Sequence, residues 1–535
     1  MKMSRSFLHA CLSAGIIGCA VVPVAFPAYG AGPKGTVYQF TVPKQGSMYA
    51  DPTYYCWLPE SVNTFRCIIV HQHGCTREGD ARMMTDDVQW TTLAKKWHSV
   101  FIAPSLITGA PGTGSTNCGN WNNISNGSGA TFLNALDTLA RRAGHPEIKS
   151  VPWALWGHSG GSMWIMSMTG KYPQRVAVAV AEACGTDISN VPAALRVPML
   201  HHNGRKDMCY NDAYFGNGRK NRALWAHAIN PNPMWVNGPS PASSGWDTTV
   251  YGHAPHDLRM IAIPWIDICL ASRLPDQAGD SVLHDMDTTN AWLGDTATRA
   301  IASAATFNGN KLTACWFPNQ YFARKWAEYM AKGTLNDSTP PPAPHNLTGI
   351  YANKQVTLKW DADADLETGI KTFIIYRNGS AFTTLQYTTT TLFTSARGFQ
   401  RWDDGDQPNP SPAPNMTFTD ANVTDTGTYV YQIASVNWSD FAGIKSAALT
   451  LKRGLVTDAK AFPVYQAAPS PPSISLCVNI MGSGSIALSP GLVDIYDMRG
   501  CLLKTAEVRS GGRIILRSIL GTAKENVVVV RNRAR

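Results

Sequence analysis

The chain is short of charge, lacks paired cysteines of the CxxC kind and, past its first 31 residues, lacks any long apolar run. Only 16% of its residues are charged, below the usual quarter, while 44% are apolar. That balance excludes a wholly disordered chain, since there is ample apolar surface to bury. The missing apolar run excludes a membrane-spanning helix in the body of the chain. Without CxxC pairs the usual zinc-ribbon and finger signatures are gone. His71 and His73, and His201 and His202, sit close in sequence, but no acidic or cysteine cluster completes a site around them. No metal and no other cofactor is expected. The net charge is +9, yet Arg499 to Arg535 alone hold nine Lys/Arg and two Glu, a net +7. A basic tail of this kind aids contact with anionic surfaces. With no helix-turn-helix or finger spacing, it does not make the chain a nucleic-acid binder.

With 535 residues the chain is long enough for two or three domains. Residues 1–31 read as a secretory signal peptide: Lys2 and Arg5 give a basic start, an apolar stretch follows, and small residues lie near Ala28 to Ala31. Pro23 and Pro27 argue against a membrane anchor. Ile16-Ile17-Gly18-Cys19 leaves a second reading, tethering through a lipidated Cys19. The expected location is therefore secreted, extracellular or cell-surface. Ten of the 12 cysteines lie beyond this segment, an even number that permits disulfides in an exported chain.

Residues 35–335 alternate strand-like apolar runs with helical stretches. CIIVHQHG (67–74), SVFIAPS (99–105), VPWALWG (151–157), VAVAVAEACG (176–185) and VPMLHHNG (197–204) read as strands. TTLAKKWH (91–98), ATFLNALDTLARRAG (130–144), SMWIMSMTGKYP (162–173) and LRMIAIPWIDICLASRL (258–274) read as helices. This pattern predicts an α/β domain with a mostly parallel sheet. A proline-rich linker spans 336–342. Residues 343–452 then carry strands without helices, including KQVTLKWDA (354–362), KTFIIYRNGS (371–380) and GTYVYQIASVNW (427–438), and predict a small β-sandwich. Residues 453–473 read as a second linker, and 474–535 as a basic, β-rich C-terminal domain.

Chemistry concentrates at Gly157-His158-Ser159-Gly160-Gly161, which fits G-x-S-x-G. A buried strand precedes it and a helix follows, the context in which such a serine is lifted on a strained turn as a nucleophile. A serine of this kind needs a base and an acid to orient it, later in the chain and in the order acid, then histidine. Asp207 is the first candidate acid, with Asp212 and Asp187 behind it. The base is His253 or His256, both in VYGHAPHDLRM (250–260). The oxyanion of an acyl-transfer intermediate needs fixed amide donors. Gly160 N–H offers one, and Gly74 N–H or Cys75 N–H another. Trp121, Trp156 and Trp164 could form an apolar wall for substrate.

These motifs resemble those of the secreted polyhydroxybutyrate depolymerase-like and feruloyl-esterase-like α/β-hydrolases. HGCT (73–76) is similar to the oxyanion loop of that group, NCGNWNN (117–123) to its cysteine–tryptophan segment, and GHSGG (157–161) to its nucleophile motif, where relatives commonly have alanine in place of Gly160. The segment 252–275 resembles the ending of some secreted hydrolases, which generally have GHE where this chain has Gly252-His253-Ala254. The resemblance implies Ser159 as nucleophile, Asp207 as acid, His253 as base, and Cys75 N–H with Gly160 N–H as the oxyanion hole. It also implies a Cys75–Cys118 disulfide. Residues 343–452 resemble a fibronectin type III module, and VDIYDMRGCLLK (493–504) resembles C-terminal sorting or surface-attachment domains, a contact with cell-surface or export machinery.

The expected function is serine carboxylic-ester hydrolysis through an acyl-enzyme. The expected substrate is an extracellular, polymeric ester, with acetyl or feruloyl groups ahead of polyhydroxyalkanoate. A serine peptidase uses the same triad, and a catalytically inactive surface-binding protein would use the same β modules.

Overall fold

The computed structural model describes residues 26–27, 33–60, 62–75, 81–85, 87–109, 118–204, 212–231, 256–337, 339–352, 354–385, 416–423 and 427–452, and six strand segments between Ser475 and Asn532. The chain forms two compact units, Met1–Gly454 and Leu455–Arg535.

The first unit is built on one large sheet. Its strands are β1 (Gly35–Thr41), β2 (Thr53–Pro59), β3 (Cys67–Gln72), β4 (Ser99–Ser105), β5 (Trp153–His158), β6 (Val176–Glu182), β7 (Met199–Gly204) and β8 (Trp225–Asn230). They lie in the order β1-β2-β4-β3-β5-β6-β7-β8, with Phe26–Pro27 paired on the edge of β1. β1 and β2 run antiparallel, and every pair from β4 to β8 is parallel. This is the α/β-hydrolase arrangement, with β3 and β4 exchanged in space. Every residue of β3, β5 and β6 is buried, as parallel strands covered on both faces require. Their near-continuous apolar sequences follow from that double burial.

Helices α1 (Val88–Lys96), α2 (Ser128–Ala143), α3 (Gly160–Lys171), α4 (Asp212–Lys220), α5 (His256–Arg273) and α6 (Gln320–Lys332) flank the sheet. Asp87 caps α1 by accepting from Gln89 N (2.9 Å) and Trp90 N (3.1 Å). Its carboxylate also pairs with Arg259 of α5 at 2.6 Å, and both side chains are fully buried. The helices and sheet enclose an aromatic core in which nine of the 17 tryptophans are buried to within 2%. Each such ring hides roughly 150–250 Å², a transfer gain of about 4–6 kcal/mol before entropy is counted. Much of the aromatic content therefore belongs to the core. A small antiparallel sheet of β9 (Trp292–Gly294), β10 (Ile301–Ser303) and β11 (Cys315–Phe317) precedes α6.

Residues His345 to Lys452 form a β-sandwich. One sheet joins β12 (His345–Ala352), β13 (Gln355–Asp361) and β16 (Thr417–Asp420). The other joins β15 (Ser380–Thr384), β14 (Thr372–Arg377), β17 (Thr428–Val436) and β18 (Leu449–Lys452). β13 alternates exposed and buried positions, with Val356, Leu358 and Trp360 facing inward.

The proline-rich stretch leads into a docked junction. Val88 of α1 belongs to the sandwich's own apolar core, while Leu366 packs on the core of the α/β part. Gln89 Nε2 donates to Leu366 O (3.2 Å), and Ala364 N donates to Thr92 Oγ1 (2.9 Å). Lys95 pairs with Asp363 (2.6 Å) and Lys325 with Glu367 (2.8 Å). Beside these contacts Thr339, Pro340, Pro342, Tyr321 and Asp267 help line a crevice of about 430 Å³.

The second unit consists of antiparallel strands. Ser475–Asn479, Val527–Asn532, Gly491–Tyr496 and Leu502–Val508 form one sheet in that order, and Ser485–Ala487 pairs with Arg513–Ile515.

Candidate active site

Strand β5 ends at His158 and α3 begins at Gly160, so Ser159 alone makes the turn. It does so at φ 53°, ψ −118°. Positive φ on a residue with a Cβ costs roughly 1–3 kcal/mol and persists only where neighbours enforce it. Three close approaches do so here. A Cβ on Gly157 would lie 2.4 Å from Gly161 O, and one on Gly161 would lie 2.4 Å from Gln72 O and 2.5 Å from His73 O. Backbone meets backbone, and only glycine fits. Ser159 N also donates to Glu182 O at 2.8 Å, tying the turn to the end of β6. Serine is a favoured helix cap, but Ser159 makes no side-chain capping bond. The hydroxyl, on a half-buried residue, is not spent on capping the helix.

The loop after β3 is held against this turn. Leu106 N donates to His73 Nε2 at 2.9 Å, so His73 carries its proton on Nδ1, which donates to Gly74 O at 2.5 Å. Cys75 and Cys118 form the disulfide that the resemblance implied, with Cα atoms 5.5 Å apart. Both sulfurs sit where a Gly160 side chain would begin: a Cβ there would lie 2.3 Å from Cys118 Sγ and 2.4 Å from Cys75 Sγ. The disulfide thus brings Cys75 onto the first turn of α3, beside Gly160. Helix starts carry amide donors without intrahelical partners and a positive end of the dipole. Ser159, Gly160 and Cys75 are together; Asp207 and His253 lie outside the described residues. In chain order Asp207 follows β7, and His253 falls between β8 and α5.

The alternative acids and base are placed in part. Asp187 accepts from Ser189 N (2.8 Å) and Asn217 Nδ2 (3.1 Å). Burial raises its carboxyl, but these bonds outweigh it and hold the group below the usual range. It is the cap of an exposed turn. Asp212 and His256 are the first residues of α4 and α5, and their side chains lie outside the description.

The tryptophan wall needs correcting. Trp121 is 0% exposed and Trp156 1%. Trp156 stacks on His71 with ring centres 4.1 Å apart, inside the sheet's covered face. Trp121 lies edge-on to His73 at 5.3 Å, beneath the disulfide. Trp164 is also buried and donates to Ser128 Oγ at 3.1 Å. These rings pack beneath the loop after β3 and helix α3, and all three are buried.

The histidines divide likewise. His201 is buried among Phe215, Trp225 and His227. Burial, helped by repulsion from His227, pushes its pKa down to about 3. His202 instead joins Glu182 and Tyr329, a set that sequence reading missed. The one signal was a charged residue, Glu182, closing the apolar run VAVAVAE. Among the described residues, no group of three or more His, Cys, Asp or Glu side chains could hold a metal ion. Cys56, Cys67 and Cys269 are free and buried, and Cys315 is buried against the backbone of His227. Burial raises the thiols of Cys56, Cys67 and Cys269, which makes them poor nucleophiles. Cys184 is disulfide-bonded to a partner outside the described residues. No described helix is long and apolar enough to cross a membrane.

No protein-family model matches the chain, and no curated protein matches it. Solved structures do. Poly(aspartic acid) hydrolase-1 from Sphingomonas sp. KT-1 is 16% identical, covering 39% of this chain and 94% of its own, at a TM-score of 0.29. Acetyl xylan esterase from Aspergillus awamori is 18% identical over 35% of this chain and 78% of its own, at 0.26. An Fn3-like protein from Clostridium thermocellum is 16% identical over 22% of this chain and all of its own, at 0.15. At such identities and scores these are likenesses only, and the α/β-hydrolase assignment rests on the strand order described above.

Proposed function

We propose that the chain is a serine carboxylic-ester hydrolase that works through an acyl-enzyme. The observation that carries this reading is the turn at Ser159. A non-glycine residue is held at φ 53° between a strand and a helix, with its hydroxyl not engaged in capping. Placing a hydroxyl at the mouth of a sheet at this cost serves nucleophilic attack.

His253 takes the Ser159 proton as the oxygen attacks the ester carbonyl. Asp207 orients the imidazole and stabilises its charged form. Gly160 N–H and Cys75 N–H donate to the oxyanion, a contribution of about 10²–10³ in rate for one such donor. The imidazolium then protonates the leaving alcohol. A water, deprotonated by the same imidazole, attacks the acyl carbonyl and releases the acid and free Ser159. No step needs a cofactor. The chain order Ser159, Asp207, His253 supports the assignment.

The substrate class we propose is a polymer-bound ester outside the cell, acetyl or feruloyl in the first instance. The leader-like first 31 residues and the β modules support it. Purified protein is expected to cleave short p-nitrophenyl esters and to be labelled by a fluorophosphonate at Ser159. Full turnover by a folded Ser159→Ala variant would refute the mechanism. Acetylated xylan, a feruloylated oligosaccharide and polyhydroxybutyrate, assayed side by side, separate the substrates.

A further inference from the structure

Behind Ser159, four buried side chains from four elements form one hydrogen-bonded line. Asn230, the last residue of β8, donates through Nδ2 to Gly333 O (3.2 Å) and to Tyr329 Oη of α6 (3.0 Å). The contact with a carbonyl fixes which end of the amide is nitrogen. Tyr329, accepting from Asn230, passes its own proton toward His202 Nε2 on β7, 2.8 Å away. His202 then carries its proton on Nδ1 and donates it to the Glu182 carboxylate at the end of β6, 2.8 Å away. Glu182 is 2% exposed, and His202, Tyr329 and Asn230 are 0% exposed. None can touch a substrate.

The line is joined to the nucleophile through the backbone. Glu182 O accepts from Ser159 N (2.8 Å) and Cys184 N (2.9 Å), and Ala183 N donates to His202 O (2.8 Å). His202 therefore grips the end of β6 twice, by the Glu182 side chain and by the Ala183 amide. Ala183 stands at φ 69°, a second left-handed residue beside Ser159. Two strained non-glycine residues meet at Glu182, and such strain is kept only where the surroundings over-determine it. Fully satisfied buried polar networks supply that kind of rigidity.

We propose that Glu182, His202, Tyr329 and Asn230 are positioning residues that set the Ser159 turn and the strand ends from which the acid and base segments leave. The proposal rests on the serine-ester reading for its readout. In the full-length protein, Tyr329→Phe, His202→Gln and Glu182→Ala are expected to lower kcat while KM stays nearly constant. The loss is about 10- to 100-fold, the scale of a sub-ångström to ångström misplacement. The rate of Ser159 labelling by a fluorophosphonate is expected to fall in the same ratio. Glu182→Gln, which keeps an oxygen for the His202 proton, is expected to recover part of what Glu182→Ala loses. All are measured well below each variant's unfolding temperature. Folded variants with kcat and labelling rate within about twofold of the parent would overturn the proposal, since a purely structural network moves only stability. If Glu182→Ala does not fold, Tyr329→Phe decides, because it removes one oxygen and no volume. Ser159→Ala, run alongside, separates the two claims: if it still turns over ester, the serine reading fails, whatever the network variants do.

Discussion

The Ser159 turn and the junction between the α/β part and the sandwich are both contact-dense, yet they are made of different material. At the turn, backbone touches backbone, with glycines at 157 and 161 and no side chain to yield. At the junction the bonds are made by long side chains, Gln89, Lys95 and Lys325, against loop residues 363–367. Long side chains can shift by rotation, and water can replace a partly exposed ion pair. A backbone contact has neither escape. One region should fail at the addition of a single methyl group, and the other should tolerate loss of a whole ammonium.

Ser159→Ala sets the upper end of that contrast, with kcat/KM for a p-nitrophenyl ester expected to fall roughly 10⁴-fold or more. Gly161→Ala comes next. Its new Cβ would press on Gln72 O and His73 O, and a loss of about 10²-fold in kcat is expected from the shifted oxyanion side. Near-parental kcat and melting temperature in this variant would erase the distinction between the regions. His201 tests a third kind of packing, a buried imidazole among aromatic rings. The folded state keeps it neutral down to about pH 3, whereas the unfolded chain protonates it below about 6.5. The unfolded state therefore binds more protons in that window, and stability falls as pH drops from 6.5 toward 3. In His201→Leu that slope should lessen by about 1.4 kcal/mol per pH unit, read from denaturant unfolding across the window. An unchanged slope would show that His201 is not the group responsible.

The junction supplies the smaller effects. A chain ending at Leu335 would uncover Val88 and remove the loop that bonds Gln89 and Thr92. Thermal unfolding should move down by roughly 3–8 °C while small-ester turnover per folded molecule is kept. Loss of that turnover would make the sandwich part of the site. Lys95→Ala should cost at most about 1 kcal/mol, since the lysine is 45% exposed and surface pairs contribute little. A drop as large as that of Gly161→Ala would reverse the comparison.

What sequence could and could not reveal divides along the same line. The strands CIIVHQ, WALWGH and VAVAVAE were legible because parallel strands buried on both faces are apolar throughout. The turn at Ser159 was legible because close backbone approach leaves only glycine, and glycine spacing is visible. Trp121 and Trp156 were misread because an aromatic residue names its area and not the face it covers. The line from Glu182 to Tyr329 was invisible because its members are 20 and 127 residues apart. Docking of the sandwich was hidden for a related reason. Gln89 and Thr92 are polar, and their sequence does not show that each bonds the 363–367 loop from far along the chain. Chain order made Asp207 the first candidate acid and left His253 or His256 as base, the resemblance implied His253, and Asp207 and His253 lie outside the described residues.

The docked sandwich changes what a module of this kind can do for an enzyme. A free linker gives a tethered catalyst an effective concentration set by chain statistics, falling as the tether lengthens. With Val88 in the sandwich core and Leu366 packed against the α/β core, the sandwich is held by side-chain packing as well as by the chain that joins it. If the sandwich rests on a solid surface, the mouth above Ser159 meets that surface at one fixed height and tilt. Turnover on a particle would then depend on the angle of attack, and lengthening the proline-rich stretch without breaking the α1 contacts would leave it unaltered.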